Sequence, residues 1–215
     1  MTPPDPASDP ATDSPTTPPL RARLLDAAMV LLERDGPEAI TLRCLAAATG
    51  VSHMAPYRHF RDKEALLAAL AERGFMALGQ AMQAAGAHRA KAGAAPRDAF
   101  LGFGLAYLDF ARARPQLYRL MFGPRLAGKA GHPGLDAAGA ATYAGLLRAV
   151  GGILSPDDPV APEAHAIATW SMVHGLALLS LDGRLSAVPG SAEETALIEQ
   201  ALRLHGRSFR PPAPT

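Results

Sequence analysis

Residues 40–63 combine cations with side chains that hydrogen-bond to anions. The charged residues of this segment are four cations and one acid: Arg43, Arg58, Arg61, Lys63 and Asp62, a net charge of +3. Tyr57 and His59 lie among the cations, and both side-chain types commonly hydrogen-bond to phosphate oxygens. The segment therefore has the chemistry to bind a polyanion, with an affinity that depends on salt.

The whole composition limits the classes of protein that could carry this segment. The 215 residues include 21 Lys and Arg against 20 Asp and Glu, so the net charge is +1 and the basic character is local. A hydrophobic content of 48% is too high for a disordered chain. A single cysteine excludes an internal disulfide and a cysteine-rich metal site. The length suits one domain of ordinary size or two small ones.

Helical periodicity dominates the chain, and no window shows the alternation that is typical of strands. Glycine and proline divide it into segments that we expect to be helical, at about 20–33, 42–48, 52–60, 63–80, 97–114, 116–122, 135–150, 162–182 and 191–206. The prediction is an all-α protein of about nine helices. Residues 1–19 carry seven prolines and no Lys or Arg, so we expect a disordered Pro-rich tail there and a second disordered tail at 209–215.

The basic segment contains two of these short helices, joined by a tight turn. Thr41 is a good N-cap for the first, Gly50 can end it, and Ser52 can cap the second. Two short helices locked at a turn by apolar contacts form a helix-turn-helix, whose second helix enters the DNA major groove.

The residues of this motif resemble the signature of the TetR family of bacterial transcriptional regulators. The resemblance is carried by Gly50-Val51-Ser52, by Tyr57, by His59-Phe60 and by Lys63, and it covers about residues 20–70. It implies an N-terminal three-helix helix-turn-helix DNA-binding domain, 20–66, followed by a C-terminal helical bundle, 67–208, for ligand binding and dimerisation.

The resemblance also implies roles for individual residues in DNA binding. Thr41 and Arg43 would contact phosphate or a base edge. Ser52, His53 and Met54 would face the major groove. The phosphate contacts would come from Tyr57, His59 and Lys63.

Pro56 is unusual inside so short a helix, because proline is tolerated mainly in a first turn. The helix could effectively begin after Ser52, which would weaken the case for a base contact by this serine. Ser52 could also act as a helix cap, and capping is compatible with a phosphate contact.

The C-terminal half is expected to form a two-fold homodimer, as helix-turn-helix proteins usually do on pseudo-palindromic sites. The helices at 162–182 and 191–206 are the candidates for the interface; the first is nearly uncharged, which predicts burial on most of its faces. The sequence from Trp170 to His174-Gly175 resembles the C-terminal domain of a TetR subgroup with a Trp…His-Gly (WHG) motif. Gly175 inside a helix suggests close approach of another helix.

Aromatic side chains could line a ligand pocket between the helices. The candidates are Phe103, Tyr107, Phe110, Tyr143, Trp170 and His174. An ordinary core stripe would explain the same spacing, and His174 could be a satisfied core residue or an interface residue. A small apolar or aromatic effector would suit this composition.

Known catalytic and metal-binding motifs are absent from the sequence, so we expect no enzyme, no cofactor and no metal site. Residues 164–181 lack charges but contain His, Ser and Thr, so we expect a buried helix rather than a membrane span. With no export signal recognised, a cytoplasmic location is expected.

The residues together predict a dimeric repressor that binds a double-stranded DNA operator and is released by a small effector. The alternatives are an activator or an effector-independent regulator. A helical small-molecule-binding protein or enzyme with a degenerate DNA-binding fold is a further alternative.

Overall fold

Proline and glycine set most of the helix boundaries in the computed structural model, which describes residues 18–126, 131–185 and 190–209. Four helices begin with a proline, where the missing N–H has no intrahelical partner to lose. The expected tails lie largely outside the described residues. Phe209, however, which we placed at the start of the C-terminal tail, is buried against Phe100 and His205.

The all-α prediction is confirmed: the described residues contain eight α-helices, two short 3-10 helices and no strand. The α-helices are α1 (Leu20–Asp35), α2 (Leu42–Thr49), α3 (Lys63–Lys91), α4 (Pro96–Ala113), α5 (Pro115–Phe122), α6 (Pro133–Gly151), α7 (Pro162–Leu181) and α8 (Ala192–Arg207). The 3-10 helices are Pro37–Ala39 and Pro56–Arg58.

The first two helices form a small domain around a leucine core. Leu24 and Leu32 of α1 and Leu45 of α2 are fully buried, and Phe60 closes the same core. The cap of α2 is the predicted one, since the Thr41 hydroxyl accepts a hydrogen bond from the Cys44 N–H at 3.0 Å. Gly50 ends this helix in the left-handed conformation, with φ of 69°, and most other residues would be strained there.

The expected third α-helix, 52–60, is not continuous. Residues 52–60 instead form successive turns that include the 3-10 helix Pro56–Arg58. The reason is Pro56, which has no N–H to donate to the Ser52 carbonyl, so the first intrahelical bond of an α-helix cannot form. The Ser52 carbonyl accepts instead from the Ala55 N–H at 2.9 Å. This loss accounts for eight α-helices where we expected about nine.

Helix α3 connects the small domain to the rest of the molecule. It begins at the predicted cap, Asp62, whose carboxylate accepts from the Ala65 N–H at 2.8 Å. Its 29 residues then run past α5, α4 and α6, which pack along it. Gly74 lies where α5 crosses, because a Cβ at this position would be 2.5 Å from the Met121 sulfur.

Helix α7 differs from its prediction in how much of it is buried. It is the one helix of the described residues that is long and apolar enough to span a membrane, which by itself is weak support for a span. We expected burial on most faces of this helix, but only 28% of its apolar 18-residue stretch is buried in the single chain. Ile167, Trp170 and Leu179 of this helix remain at least 40% exposed. Leu197 and Leu204 of α8 are exposed as well.

The crossing of α3 and α5 gives a stability test. Gly74→Leu should lower the free energy of unfolding by about 1–3 kcal/mol, because a well-packed contact has no room for the added carbons. Thermal unfolding followed by circular dichroism would measure the change. Gly151→Leu is the control, since among the described residues no atom beyond the local helix backbone lies within 4 Å of a Cβ there. An equal loss in both variants would contradict the close packing at Gly74.

Candidate functional site

The residues predicted to contact DNA form an exposed surface on the small domain. Seven of the eight are exposed: Thr41, Arg43, Ser52, His53, Met54, Tyr57 and His59. Met54 and Tyr57 are large apolar or aromatic side chains that nonetheless remain 57% and 47% exposed. Exposure of such side chains beside cations is typical of a surface that contacts another molecule.

The free cations of this surface are suited to phosphate. Within the described residues, neither Arg43 nor Arg58 forms an ion pair, so both charges are available. Arg21 and Arg23 have internal roles instead. The Arg21 guanidinium lies 5.4 Å from the centre of the Phe60 ring, and Arg23 donates to the Thr49 carbonyl at 2.7 Å. These contacts brace the turn that carries the candidate base-contacting residues.

Lys63, the eighth predicted residue, is already engaged within the chain. Its Nζ donates to the Glu38 carbonyl at 3.1 Å and lies 3.6 Å from the Glu38 carboxylate. Arg125 also pairs with that carboxylate. Lys63 is therefore held at the N-terminus of α3 by an exposed network that phosphate could compete with.

The second candidate site is a cavity of about 200 Å³ lined by residues of α3, α4, α5, α6, α7 and α8. No Asp, Glu, Lys or Arg is among its lining residues, which include Phe75, Leu78, Met82, Phe100, Phe103, Tyr107, Phe122, Thr142, Tyr143, Leu146, Thr169, Trp170, Val173 and His205. Burying a charge among such side chains would be strongly unfavourable. The cavity therefore suits an apolar molecule with no charge inside it.

The structure brings only part of the predicted pocket together. Phe103, Tyr107, Tyr143 and Trp170 line the cavity, whereas Phe110 and His174 do not. Phe110 lies ten residues after Phe100, about 15 Å further along α4, beyond the cavity's end. The sequence reasoning also missed the contributions of α3, whose Phe75, Leu78 and Met82 were indistinguishable from ordinary core residues.

His174 belongs instead to a hydrogen-bonded cluster behind the cavity wall. Its Nδ1 is 3.0 Å from the Tyr107 hydroxyl and 2.6 Å from the Tyr118 hydroxyl, and the two hydroxyls are 3.1 Å apart. Burial raises the pKa of Tyr107 to about 12, raises the pKa of Tyr118 as well, and lowers the pKa of His174. All three groups are therefore neutral at pH 7. A hydroxyl that donates to Nδ1 leaves the imidazole proton on Nε2.

A second polar pair lies directly on the cavity wall. The Thr169 hydroxyl is 2.9 Å from Nε2 of His205, so this contact joins α7 to α8. The pKa of His205 is lowered by burial and by the charge of His165. Both members of the pair are neutral at pH 7, so the pair adds hydrogen-bonding capacity to the wall but no charge.

Helix α5 connects the cavity to the small domain. At its N-terminus, the Glu33 carboxylate of α1 accepts from the N–H groups of Gln116 and Leu117 at 3.2 and 2.9 Å. At its C-terminus, Phe122 lines the cavity and packs on His174, with ring centres 4.8 Å apart. The eight residues of α5 therefore link the cavity wall at Phe122 directly to α1.

Comparison with known proteins identifies both halves of the chain. Residues 24–70 match the model of bacterial regulatory proteins of the tetR family, and residues 100–204 match the tetracyclin repressor-like C-terminal domain. No match was found among curated proteins.

Solved structures give the same result. A protein of unknown function from Rhodococcus sp. RHA1 is 32% identical, with a TM-score of 0.76, over 92% of this chain and 99% of that one. A tetR-family regulatory protein from Rhodococcus RHA1 is 21% identical, covering 91% and 99%, with a TM-score of 0.64. A TetR regulator from Marinobacter aquaeolei VT8 is 21% identical, covering 89% and 96%, with a TM-score of 0.63. The last two show the fold alone.

The proteins that the first model describes are bacterial transcriptional regulators and not enzymes, which agrees with the exposed basic surface described above. The two matched segments include both the candidate DNA-binding residues and most of the cavity. The chain belongs to the TetR family of bacterial transcriptional regulators.

Proposed function

We propose that the protein is a cytoplasmic repressor that binds a pseudo-palindromic operator as a homodimer and leaves it when a small apolar or aromatic molecule enters the cavity. The observation that carries the proposal is α5, which contacts both the cavity and α1 of the small domain that carries the candidate DNA-binding surface. In this proposal residues 20–66 bind DNA, and residues 67–208 bind the effector and the second subunit.

The turn at 52–60 supports major-groove contact through its shape and exposure. Ser52, His53 and Met54 are successive exposed residues at its tip, with no helix cap formed by the Ser52 side chain in the described structure. Buried Pro56 and Phe60 anchor the turn from behind. His53 and Met54 would read base edges, while Tyr57, His59, Arg43, Thr41 and Lys63 would contact phosphates.

The exposed sides of α7 and α8 support the dimer. Five large apolar side chains are at least 40% exposed there: Ile167, Trp170, Leu179, Leu197 and Leu204. Among the described residues, no atom outside the backbone of its own helical turn lies within 4 Å of a Cβ built on Gly175, which leaves space beside it for another helix. A partner's α7 and α8 would cover these groups and bury their apolar area.

The size and lining of the cavity support a compact effector. An apolar cavity of about 150 Å³ is enough to bind benzene, and this one is about 200 Å³. A benzene ring with a short alkyl substituent would fit. Entry would push on Phe122, shift α5 and alter the Glu33 contact, which would change the separation of the two DNA-binding domains. Such coupling requires that the effector bind the two arrangements with different affinities.

A salt-titrated gel shift with the region upstream of the protein's own gene tests the proposed function. We expect a sequence-selective complex at low salt that weakens as salt is added. An alkylbenzene series, followed by quenching of the sole tryptophan, Trp170, would then identify a probe that binds the cavity and lowers operator affinity. If no sequence-selective complex forms, the proposed role as a DNA-binding regulator is wrong. If a bound probe does not lower operator affinity, the proposed release mechanism is wrong.

The phosphate and base contacts predict different defects. Tyr57→Phe and Lys63→Ala should weaken binding to every DNA sequence by similar factors, and Lys63→Ala should reduce the salt slope by about one. His53→Ala should instead change which base is preferred at one position of each half-site. Gel shifts with operator variants distinguish these outcomes. An unchanged base preference in His53→Ala would show that His53 does not contact a base edge.

The dimer face predicts the behaviour of a charged variant. Leu204 is 70% exposed, so Leu204→Asp should fold normally as a single chain but disfavour burial against a second subunit. Sedimentation velocity should show a monomer, and operator affinity should fall because only one half-site is engaged. Val30→Asp is the control, since Val30 is 65% exposed on α1, away from this face. A dimeric Leu204→Asp protein would place the interface elsewhere.

The contact between α1 and α5 predicts a loss of coupling. Glu33→Gln keeps an acceptor oxygen but removes the charge that favours a helix N-terminus, and it can accept from fewer N–H groups at once. The factor by which a bound alkylbenzene lowers operator affinity should fall several-fold, while the affinity of the probe itself changes little. Asp35→Asn is the control, because this α1 carboxylate pairs with Arg34 and not with α5. Equal coupling in both variants would exclude Glu33 from the signal.

A further inference from the structure

A second hollow lies beside the cavity, on the other side of two phenylalanine rings. It is a surface groove of about 320 Å³ between the end of α3, the start of α4 and the end of α6. Phe100 and Phe103 line both the cavity and the groove. The rings therefore form a partition, and a change of their rotamers would connect the two spaces.

Two glycines hold Phe103 in this partition. Its ring lies 3.8 Å from the Cβ position of Gly86 on α3 and 4.0 Å from the Cβ position of Gly145 on α6. Larger residues at these positions would press on the ring from both sides. The ring is thus held by side-chain packing alone, and rotation about its χ angles is the smallest movement that could open the partition.

The groove differs from the cavity in carrying a charge. Arg148 is its one charged lining residue, and the guanidinium lies 3.9 Å from the same Gly145 position that Phe103 approaches. Arg148 lies one turn after Gly145 on α6, so its side chain runs along this helix toward Gly145 while it remains exposed to solvent at the edge of the groove. Within the described residues it forms no ion pair, and no acidic residue lines the groove.

We propose that the effector is an amphipathic carboxylate, with an aryl or alkyl body in the cavity and its anionic end in the groove against Arg148. This inference rests on the proposed effector function and specifies the ligand class for it. The charge-free lining excludes the carboxylate from the cavity, whereas an arginine fork matches a carboxylate with two hydrogen bonds. A chain of a few methylene groups in the effector, passing Phe103, would connect its apolar body to its carboxylate.

Matched acids and alcohols test this assignment. The probes are ω-phenylalkanoic acids with two to seven methylenes and the ω-phenylalkanols of the same lengths, titrated against the full chain while Trp170 fluorescence is followed. At low ionic strength the best acid should bind about fivefold or more tightly than its alcohol, and added salt should shrink that ratio. Calorimetry with the best pair gives the same ratio independently of fluorescence.

Variants identify the cation. Arg148→Gln should reduce the acid-to-alcohol ratio to about one and leave alcohol binding unchanged, and Arg148→Lys should retain part of the preference. Arg34→Gln is the control, because Arg34 is also an exposed arginine but lies on α1 of the small domain, away from both hollows; its ratio should equal that of the unaltered protein. Arg148 is exposed, so these substitutions should not impair folding.

The possible failures are distinguishable. Equal binding of acids and alcohols by the unaltered protein would overturn the anionic end while leaving the apolar effector cavity intact. A preference for acids that survives Arg148→Gln would overturn the role of the groove. If neither series nor the alkylbenzenes bind, the effector function itself fails, and this inference fails with it.

Discussion

The contacts at the two ends of α5 are the constraint on which the rest of the structure depends. A helix of eight residues is unstable alone in water, because nucleation costs more than so few hydrogen bonds return. Its order therefore comes from its neighbours: a carboxylate of α1 at one end and an aromatic cluster at the other. The same helix is therefore in contact with both the cavity and the small domain, and the proposed coupling between them would act through it.

Two further contacts make α5 the junction of three parts. Arg119 pairs with Asp182 just after α7 at 2.5 Å, and the Tyr118 hydroxyl reaches His174 within α7. Helix α7 also carries the exposed apolar side chains of the proposed dimer face. In the proposed dimer, α5 would be connected through α7 to the partner subunit and through α1 to the DNA-binding domain. A movement of α5 could then change the spacing of the two DNA-binding domains.

Local interactions explain what could be predicted from the sequence. The caps Thr41 and Asp62 and the turn at Gly50 are formed by residues within four positions of each other, and all three are found as expected. Pro56 shows the limit of the same reasoning. Its position indicated an irregular helix. The sequence alone does not say whether an α-helix or turns would form, because this depends on how the segment packs. Burial of Pro56 and Phe60 favours the turns.

Long-range contacts explain what could not be predicted. Glu33 and Leu117 are 84 residues apart, and nothing in either local sequence marks them as partners. The cavity likewise draws on α3, where Phe75, Leu78 and Met82 follow the ordinary periodicity of a core helix. Periodicity identifies the face that is buried, but it does not say whether the space opposite is filled by side chains or left open.

The sizes of these interactions bear on how the proposed switch could work. Inverting a 1:99 equilibrium takes about 5.5 kcal/mol of differential binding between the two arrangements. A charged cap at a helix terminus is worth about 0.5–2 kcal/mol. In the proposed dimer two caps and two cavities would act together, so modest contributions at each site would add up. Interactions of this size around α5 would be strong enough to hold one arrangement and weak enough for a small ligand to replace it.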